Sequence, residues 1–164
     1  MDLDDARLTA LLGELDLADK VQLLTGQDVG STAAIEKIGL RSMVLSAGPS
    51  GVRGPSWDER SPSLNLPSAS ALSSGWSTEL ARAYGEVSAG EARRKGVDIV
   101  LGPTINLHRS PLGGRHFEAF SEDPTLTAEL AAAVIRLCRR YRPSPAHVTA
   151  PTPLSGCRTA RSRC

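Results

Sequence analysis

The sequence predicts an α/β fold in which short parallel strands alternate with helices. Two apolar runs, Ser42 to Ser46 and Val97 to Leu101, are each followed by turn residues and are typical of buried strands. Each run is followed further along the chain by apolar residues at helical spacing. A complete (β/α)8 barrel of the TIM type needs eight such units and about 250 residues. The 164 residues contain three or four units, so we expect a partial barrel, about the first half.

The first 26 residues predict one or two short amphipathic helices. Leucines and a valine recur at helical spacing between Leu3 and Leu24. Asp16 is placed to cap the second helix, and Gly26 ends it.

The middle of the chain predicts a second strand and helix. After the strand at 42–46, glycines and a proline at 48–54 predict a turn. We expect a further short strand from Ala69 to Leu72. Ser77 is the predicted N-cap of a helix from Thr78 to Lys95, which Gly96 closes. Its predicted buried face carries Leu80, Tyr84 and Val87.

The segment from Leu101 to Pro124 interrupts every apolar period with polar side chains and therefore predicts a long loop. Several prolines and glycines restrict or release its backbone, which favours one defined path over a flexible linker. Asp123 and Pro124 are typical of a helix start, and apolar residues recur after them: Leu126, Leu130, Val134 and Leu137. Loops of this kind often carry binding residues. The alternative is a surface loop whose charges pair with one another.

Three motifs carry a resemblance to a known family. The string GPTINLHRSPLGGRHFEAFSEDP resembles a signature of glycoside hydrolase family 3. GLRSMVLSAGPSGVRG, at Gly39 to Gly54, resembles the family's first barrel strand, and LADKVQLLTG, at Leu17 to Gly26, is similar to its N-terminal helix. The resemblance implies that residues 1–137 are the N-terminal part of the family's catalytic barrel domain. It also implies relatives of β-glucosidase type, which hydrolyse terminal β-linked sugars by a retaining mechanism.

The resemblance implies two substrate-binding residues, Arg53 and Arg115, which match arginines that contact the −1 sugar in the family. A guanidinium presents five donors in a fixed fork, which suits sugar hydroxyls. The alternative for Arg115 is to brace the loop by pairing with a nearby acid: Glu118, Glu122 or Asp123. Ala47 departs from the family, which has an aspartate there, and we expect poorer glucose binding because a methyl group accepts no hydrogen bond.

Catalytic residues are predicted to be absent from this chain. Retaining glycoside hydrolysis needs two carboxyl groups about 5–5.5 Å apart, and the resemblance implies that the nucleophilic aspartate and the acid/base glutamate lie further along the family's sequence. The polar loop residues are interpreted as structural: Asn106 and Arg109 tie the loop backbone, while Glu118, Ser121, Glu122 and Asp123 form its base and the helix cap. His108 and His116 specify no metal geometry, so no metal or cofactor is predicted.

The residues after 137 differ from the rest in composition. All three cysteines and seven of the 19 basic residues lie at or after Arg136, and no acidic residue follows Glu129. We expect 138–164 to be a disordered tail outside the family pattern, and a frameshift or gene-end artefact would explain it. The net charge of +1 indicates neither a nucleic-acid nor a membrane partner. The acidic N-terminus without an apolar signal region predicts a cytoplasmic protein.

Two functions remain from the sequence. The first is a β-glucosidase-type fragment of the family, with a β-glycoside or oligosaccharide as its partner. The alternative is a catalytically dead half-barrel, either a split-enzyme partner or a pseudogene product, with self-association through open barrel edges.

Overall fold

The computed structural model describes residues 5–56, 58–140 and 146–147, with side chains through residue 136. The chain has α/β character, as predicted. Its helices and strands follow in the order α1 (Asp5–Gly13), α2 (Leu17–Thr25), β1 (Leu45–Ala47), α3 (Ala69–Ser73), α4 (Thr78–Arg94), β2 (Ile99–Leu101), α5 (Pro124–Arg140) and β3 (Ala146–His147). Of the predicted tail, 138–164, the structure describes the end of α5 and the two residues of β3. The rest of that prediction lies outside the described residues.

The two N-terminal helices confirm their prediction. Asp16 caps α2 through a reciprocal pair of hydrogen bonds, in which its side chain accepts from the Asp19 amide and the Asp19 side chain accepts from the Asp16 amide. Gly26 ends α2 with φ +77°. Leu17, Val21 and Leu24 on α2 are all exposed, so this helix is held by its caps and loops more than by burial.

The strands form one parallel sheet in the order β1, β2, β3. Leu45 pairs with Ile99 and Ala47 with Leu101, so the carboxyl ends of β1 and β2 are level. At the amino end, Asp98 Oδ2 accepts hydrogen bonds from the Val44 amide at 2.9 Å and from Arg41 Nη1 at 2.8 Å. This contact holds the register at the strand entrance, before the carboxyl ends where parallel sheets place their sites.

The prediction of a strand from Ala69 to Leu72 is wrong, because these residues form the helix α3. Ser68 caps it by accepting a hydrogen bond from the Ala71 amide. A four-residue apolar run does not distinguish a strand from a buried helical turn, and the cap decides in favour of the helix.

Helix α4 begins at its predicted cap, Ser77, but only Tyr84 of its predicted buried face packs against the core. Leu80 and Val87 are exposed, whereas the buried residues, apart from Glu91, are small: Ala81, Gly85, Ser88, Ala89 and Ala92. The small face lets α5 approach closely. A Cβ on Gly85 would lie 2.5 Å from the Val134 carbonyl oxygen, so the two helix backbones are in contact there.

Helix α5 packs its predicted apolar face on α4 and α3, apart from Leu137, whose side chain lies outside the described part of the chain. Leu130 and Val134 are buried in a core with Leu72 and Phe120, and Leu126 is partly buried against it. Asp123 Oδ1 accepts from the Thr125 amide at 2.8 Å, which confirms its predicted role at the helix start. A second, smaller core beneath the sheet joins Val52, Ala92, Val97 and Val100. Over the residues that the structure describes, no helix meets the length and apolarity needed to cross a membrane.

Candidate functional site

The candidate site lies where β1 and β2 end side by side. From β1 the chain leaves through the turn 48–54, and from β2 it leaves through the loop 102–123. Neighbouring parallel strands deliver both segments to one edge of the sheet. Ala47, the last residue of β1, is exposed at this edge and presents only a methyl group.

The backbone at Arg53 is held from three directions. The Arg53 amide donates to the Ala47 carbonyl oxygen at 3.2 Å. The next amide, that of Gly54, donates to the buried hydroxyl of Ser46 at 2.9 Å. Lys95 Nζ at the end of α4 donates to the Arg53 carbonyl oxygen at 3.0 Å. These hydrogen bonds fix the backbone of Arg53 to β1 and to the end of α4.

The Arg53 side chain lines a cleft of about 320 Å³. The other lining residues are Asp28, Val29, Gly30 and Ser31 from the segment before β1, together with Val44 and Pro55. The segment 28–31 is attached to β1, because the Leu45 amide donates to the Gly30 carbonyl oxygen at 2.6 Å. Sequence reasoning did not identify this segment, since no motif or spacing links 28–31 to Arg53.

The loop 102–123 has one defined path, as predicted, and backbone contacts close it. Thr104 pairs with Ala119, and the His108 amide donates to the Ser121 carbonyl oxygen at 3.2 Å. His108 Nε2 lies 2.8 Å from the His116 carbonyl oxygen, and the two imidazole rings meet edge to face with centroids 4.9 Å apart. The histidines thus brace the two arms of the loop.

Arg115 forms an ion pair with Glu118 across a short helical turn at His116–Glu118, with Nη2 and Oε2 2.5 Å apart. The Arg115 side chain is 77% exposed and the Glu118 side chain 14% exposed. The mostly buried carboxylate of Glu118 therefore holds the guanidinium of Arg115 at the surface. This is the bracing contact that the sequence left open as an alternative. The ion pair uses Nη2 of the Arg115 guanidinium. Sugar binding by Arg115 stays a prediction.

Glu118 also lines a small apolar pocket between the loop, α3 and α4, with a volume of about 20 Å³. That is room for about one water molecule and too little for a sugar. Tyr84 from α4 lines the same pocket, and its hydroxyl donates to the carbonyl oxygen of Pro49 and lies 3.1 Å from that of Pro67. Burial raises the pKa of the Tyr84 hydroxyl. Tyr84 thus fixes the β1 turn to α4, a role that its helical spacing did not reveal.

The two predicted sugar-binding arginines are not brought to one cleft. Arg53 lines the larger cleft, and Arg115 lines neither of the two described above. Asn106, interpreted from sequence as a tie for the loop backbone, has a buried Oδ1 with no hydrogen-bond partner among the described residues. Within that part of the chain, no three His, Cys, Asp or Glu side chains are grouped to hold a metal ion.

The carboxylates of Asp16 and Asp19 both contact Lys37 Nζ, at 2.9 and 2.6 Å. Both acids also accept backbone hydrogen bonds of the α2 cap. The Asp19 amide and the Lys37 ammonium lower the pKa of Asp16. A general acid for glycoside cleavage needs the opposite shift, so Asp16 fits helix capping and not general-acid catalysis.

Comparison with known proteins gives consistent matches. The family model described as glycosyl hydrolase family 3 N terminal domain matches residues 50–150. Beta-glucosidase B of Emericella nidulans is 38% identical over 133 residues, which are 81% of this chain and 16% of that protein. The chain spans about a sixth of the length of the curated relatives that it matches.

Solved structures agree with the sequence matches. The beta-glucosidase from Kluyveromyces marxianus in complex with glucose superposes with a TM-score of 0.75 at 35% identity, covering 85% of this chain and 16% of the other. Beta-glucosidase 3B from Thermotoga neapolitana in complex with glucose gives a TM-score of 0.72 at 33% identity, covering 82% and 21%.

Proposed function

Because this chain belongs to glycosyl hydrolase family 3, we propose that it forms part of a β-glucosidase-type barrel and supplies residues that bind the sugar of a β-glycoside or oligosaccharide. The relatives it matches are named as β-glucosidases, and its α/β fold is of the TIM-barrel type on which they are built. The match covers a small share of each relative, so the activity of the whole enzyme enters here as a proposal.

The partial barrel is supported by the order of the elements. Helix α4 lies between β1 and β2 along the chain, α5 lies between β2 and β3, and all three strands are parallel. Two successive strand-helix-strand units of this kind are the repeating element of a (β/α)8 barrel. The first half of the barrel is therefore the architecture that we propose for residues 1–137.

The observation that carries the proposed sugar binding is the level pairing of β1 and β2 at Ala47 and Leu101. Arg53 follows the first strand end and Arg115 follows the second. In this fold the residues after the carboxyl ends of strands contact substrate. Arg53 rises from a rigid turn beside a cleft, and Arg115 has an exposed guanidinium anchored by Glu118. Both are suited to donate hydrogen bonds to hydroxyl groups.

We do not assign a catalytic carboxylate to this chain. Glu118 is paired with Arg115, Glu91 with Arg94, and Asp98 with Arg41. The pKa values of Glu91 and Asp98 are lowered mainly by their arginines, which favours the ionised form of these two carboxylates. In the retaining reaction one carboxyl group must be protonated to donate to the leaving oxygen. The residues proposed here bind and orient the sugar and leave that step to carboxylates outside this set.

The test is binding of methyl β-D-glucopyranoside to the purified chain, followed by NMR. Arg53→Gln and Arg115→Gln should each weaken binding, since a hydrogen bond from a charged donor contributes about 1.5–3 kcal/mol. Arg60→Gln is the matched control, because Arg60 is 90% exposed, pairs with Asp58 and does not line the cleft of Arg53. Equal affinity in all four proteins would refute sugar binding by these arginines.

A second assay tests the assignment of catalysis. The chain alone should not release p-nitrophenol from p-nitrophenyl β-D-glucopyranoside. Turnover would contradict the absence of catalytic carboxylates and would direct attention to Glu118, Glu122 and Asp123. Self-association through the sheet edges and a cytoplasmic location stay predictions from the sequence.

A further inference from the structure

The cleft beside Arg53 contains one carboxylate, that of Asp28, and short contacts hold it in place. Asp28 Oδ1 accepts from the Gly30 amide at 2.8 Å, and Oδ2 accepts from the Ser31 hydroxyl. The Gln27 amide donates to the Ser31 carbonyl oxygen at 2.8 Å and closes the turn. Gly30 is bonded to the β1 residue Leu45, so the carboxylate has a fixed position relative to the strand that precedes Arg53.

The Asp28 carboxylate keeps capacity for a ligand. An ionised carboxylate has about four acceptor positions on its two oxygens, and the turn contributes the Gly30 amide, the Ser31 hydroxyl and a weaker contact from the Ser31 amide. Asp28 is exposed. The Ser31 hydroxyl and the Gly30 amide lower its pKa, which keeps the group ionised at neutral pH.

The composition of the cleft fits a pyranoside. Its volume of about 320 Å³ lies at the lower end of the range for small-molecule sites. Val29, Val44 and Pro55 contribute apolar surface, Asp28 contributes an acceptor, and Arg53 contributes donors. A sugar ring presents C–H faces together with hydroxyls that both donate and accept. One carboxylate and one guanidinium also leave the lining without formal net charge, which favours a neutral ligand.

We propose that Asp28 is a sugar-binding residue whose carboxylate accepts hydrogen bonds from hydroxyls of the glycoside that Arg53 contacts. The inference rests on the proposed function of Arg53. The end of β1 offers no carboxylate, since Ser46 is buried and Ala47 carries a methyl group. Asp28 provides the acceptor from a separate segment, 28–31, which the fold lays against β1.

The experiment titrates methyl β-D-glucopyranoside into the isotopically labelled full chain. The carboxylate carbon signal of Asp28 and the amide signals of Gly30 and Gly54 should move with one saturation curve. Asp28→Asn should weaken binding about tenfold, which corresponds to about 1.4 kcal/mol. Asp58→Asn is the matched control and should leave the affinity unchanged, because Asp58 pairs with Arg60 and does not line this cleft.

The readouts separate loss of the turn from loss of the ligand contact. Asn at position 28 retains an acceptor for the Gly30 amide, and an unchanged Gln27 amide signal reports an intact turn. If that signal changes, the carboxylate carbon signal of the unaltered protein decides, because it requires no substitution.

The outcomes also separate this inference from the proposed function. If Arg53→Gln weakens binding while Asp28→Asn does not and the Asp28 carbon signal stays in place, sugar binding by Arg53 stands and the role of Asp28 is overturned. If no signal moves with the glycoside, or neither arginine variant changes the affinity, the proposed function fails and the role of Asp28 fails with it.

Discussion

The contact between α4 and α5 at Gly85 makes a quantitative prediction for the substitution Gly85→Ala. A Cβ at this position would lie 2.5 Å from the Val134 carbonyl oxygen and 3.1 Å from the Val134 Cα. Both neighbours are backbone atoms of a helix and do not rotate away, so the helices must separate. Overpacking of this kind costs about 1–3 kcal/mol.

Gly90→Ala is the matched control, because Gly90 lies in the same helix and its added Cβ would meet no atom within 4 Å. Alanine is about 0.8–1.0 kcal/mol more favourable than glycine in a helix interior, so Gly90→Ala should stabilise the chain by about that amount. Gly85→Ala has the same propensity gain and in addition the overpacking cost. The free energies of unfolding of the two variants should therefore differ by about 1–3 kcal/mol.

The assay is urea unfolding followed by circular dichroism, with the midpoint compared at constant slope. With a slope of about 1–3 kcal/mol per molar urea, the two midpoints should be separated by roughly 1 M, with Gly85→Ala the less stable. Equal midpoints, or a more stable Gly85→Ala, would refute the backbone contact between α4 and α5.

Three further outcomes are expected from the same unfolding assay. Leu130→Ala should lower the free energy of unfolding by about 2–5 kcal/mol because Leu130 is fully buried, whereas Leu112→Ala, at a side chain 92% exposed, should change it by less than about 0.5 kcal/mol. Ser77→Ala should cost about 1 kcal/mol, since the Ser77 hydroxyl caps α4 through the Leu80 amide, and an unchanged midpoint would contradict that cap. Asp98→Ala should destabilise the chain at neutral pH, because the carboxylate binds Arg41 and the Val44 amide. Arg41 lowers the pKa of Asp98 below its ordinary value near 3.8, so the ionised group stabilises the fold above about pH 4. The difference in the free energy of unfolding between Asp98→Ala and the unaltered chain should shrink as the pH falls below that value. A difference that does not change with pH would contradict stabilisation by the ionised carboxylate of Asp98.

Features set by residues close together in sequence were predictable. The caps at Asp16, Ser77 and Asp123 each bond an amide two or three positions ahead, and such pairs are visible in the sequence itself. The two strands before the polar segments and the course of the loop 102–123 were also predicted, apart from shifts of a few residues at the strand ends. The family membership followed from ordered motifs, which the match over residues 50–150 confirms.

Features set by contacts between distant segments were not predictable. Residues 69–72 were expected as a strand and form a helix, because a short apolar run satisfies either structure once it is buried. The predicted buried face of α4 was wrong at Leu80 and Val87, because large apolar residues suggested burial, while the approach of α5 at Gly85 requires small ones.

The site shows the same division. The sequence by itself determined which residue types stand at or after the strand ends, because motif and strand pattern are local: Ala47, Arg53 and Arg115. Only the tertiary structure decided that Glu118 anchors Arg115 and that Asp28 lies in the cleft of Arg53. The segment 28–31 is attached to β1 by backbone hydrogen bonds, which any residue forms and which leave no mark in the sequence.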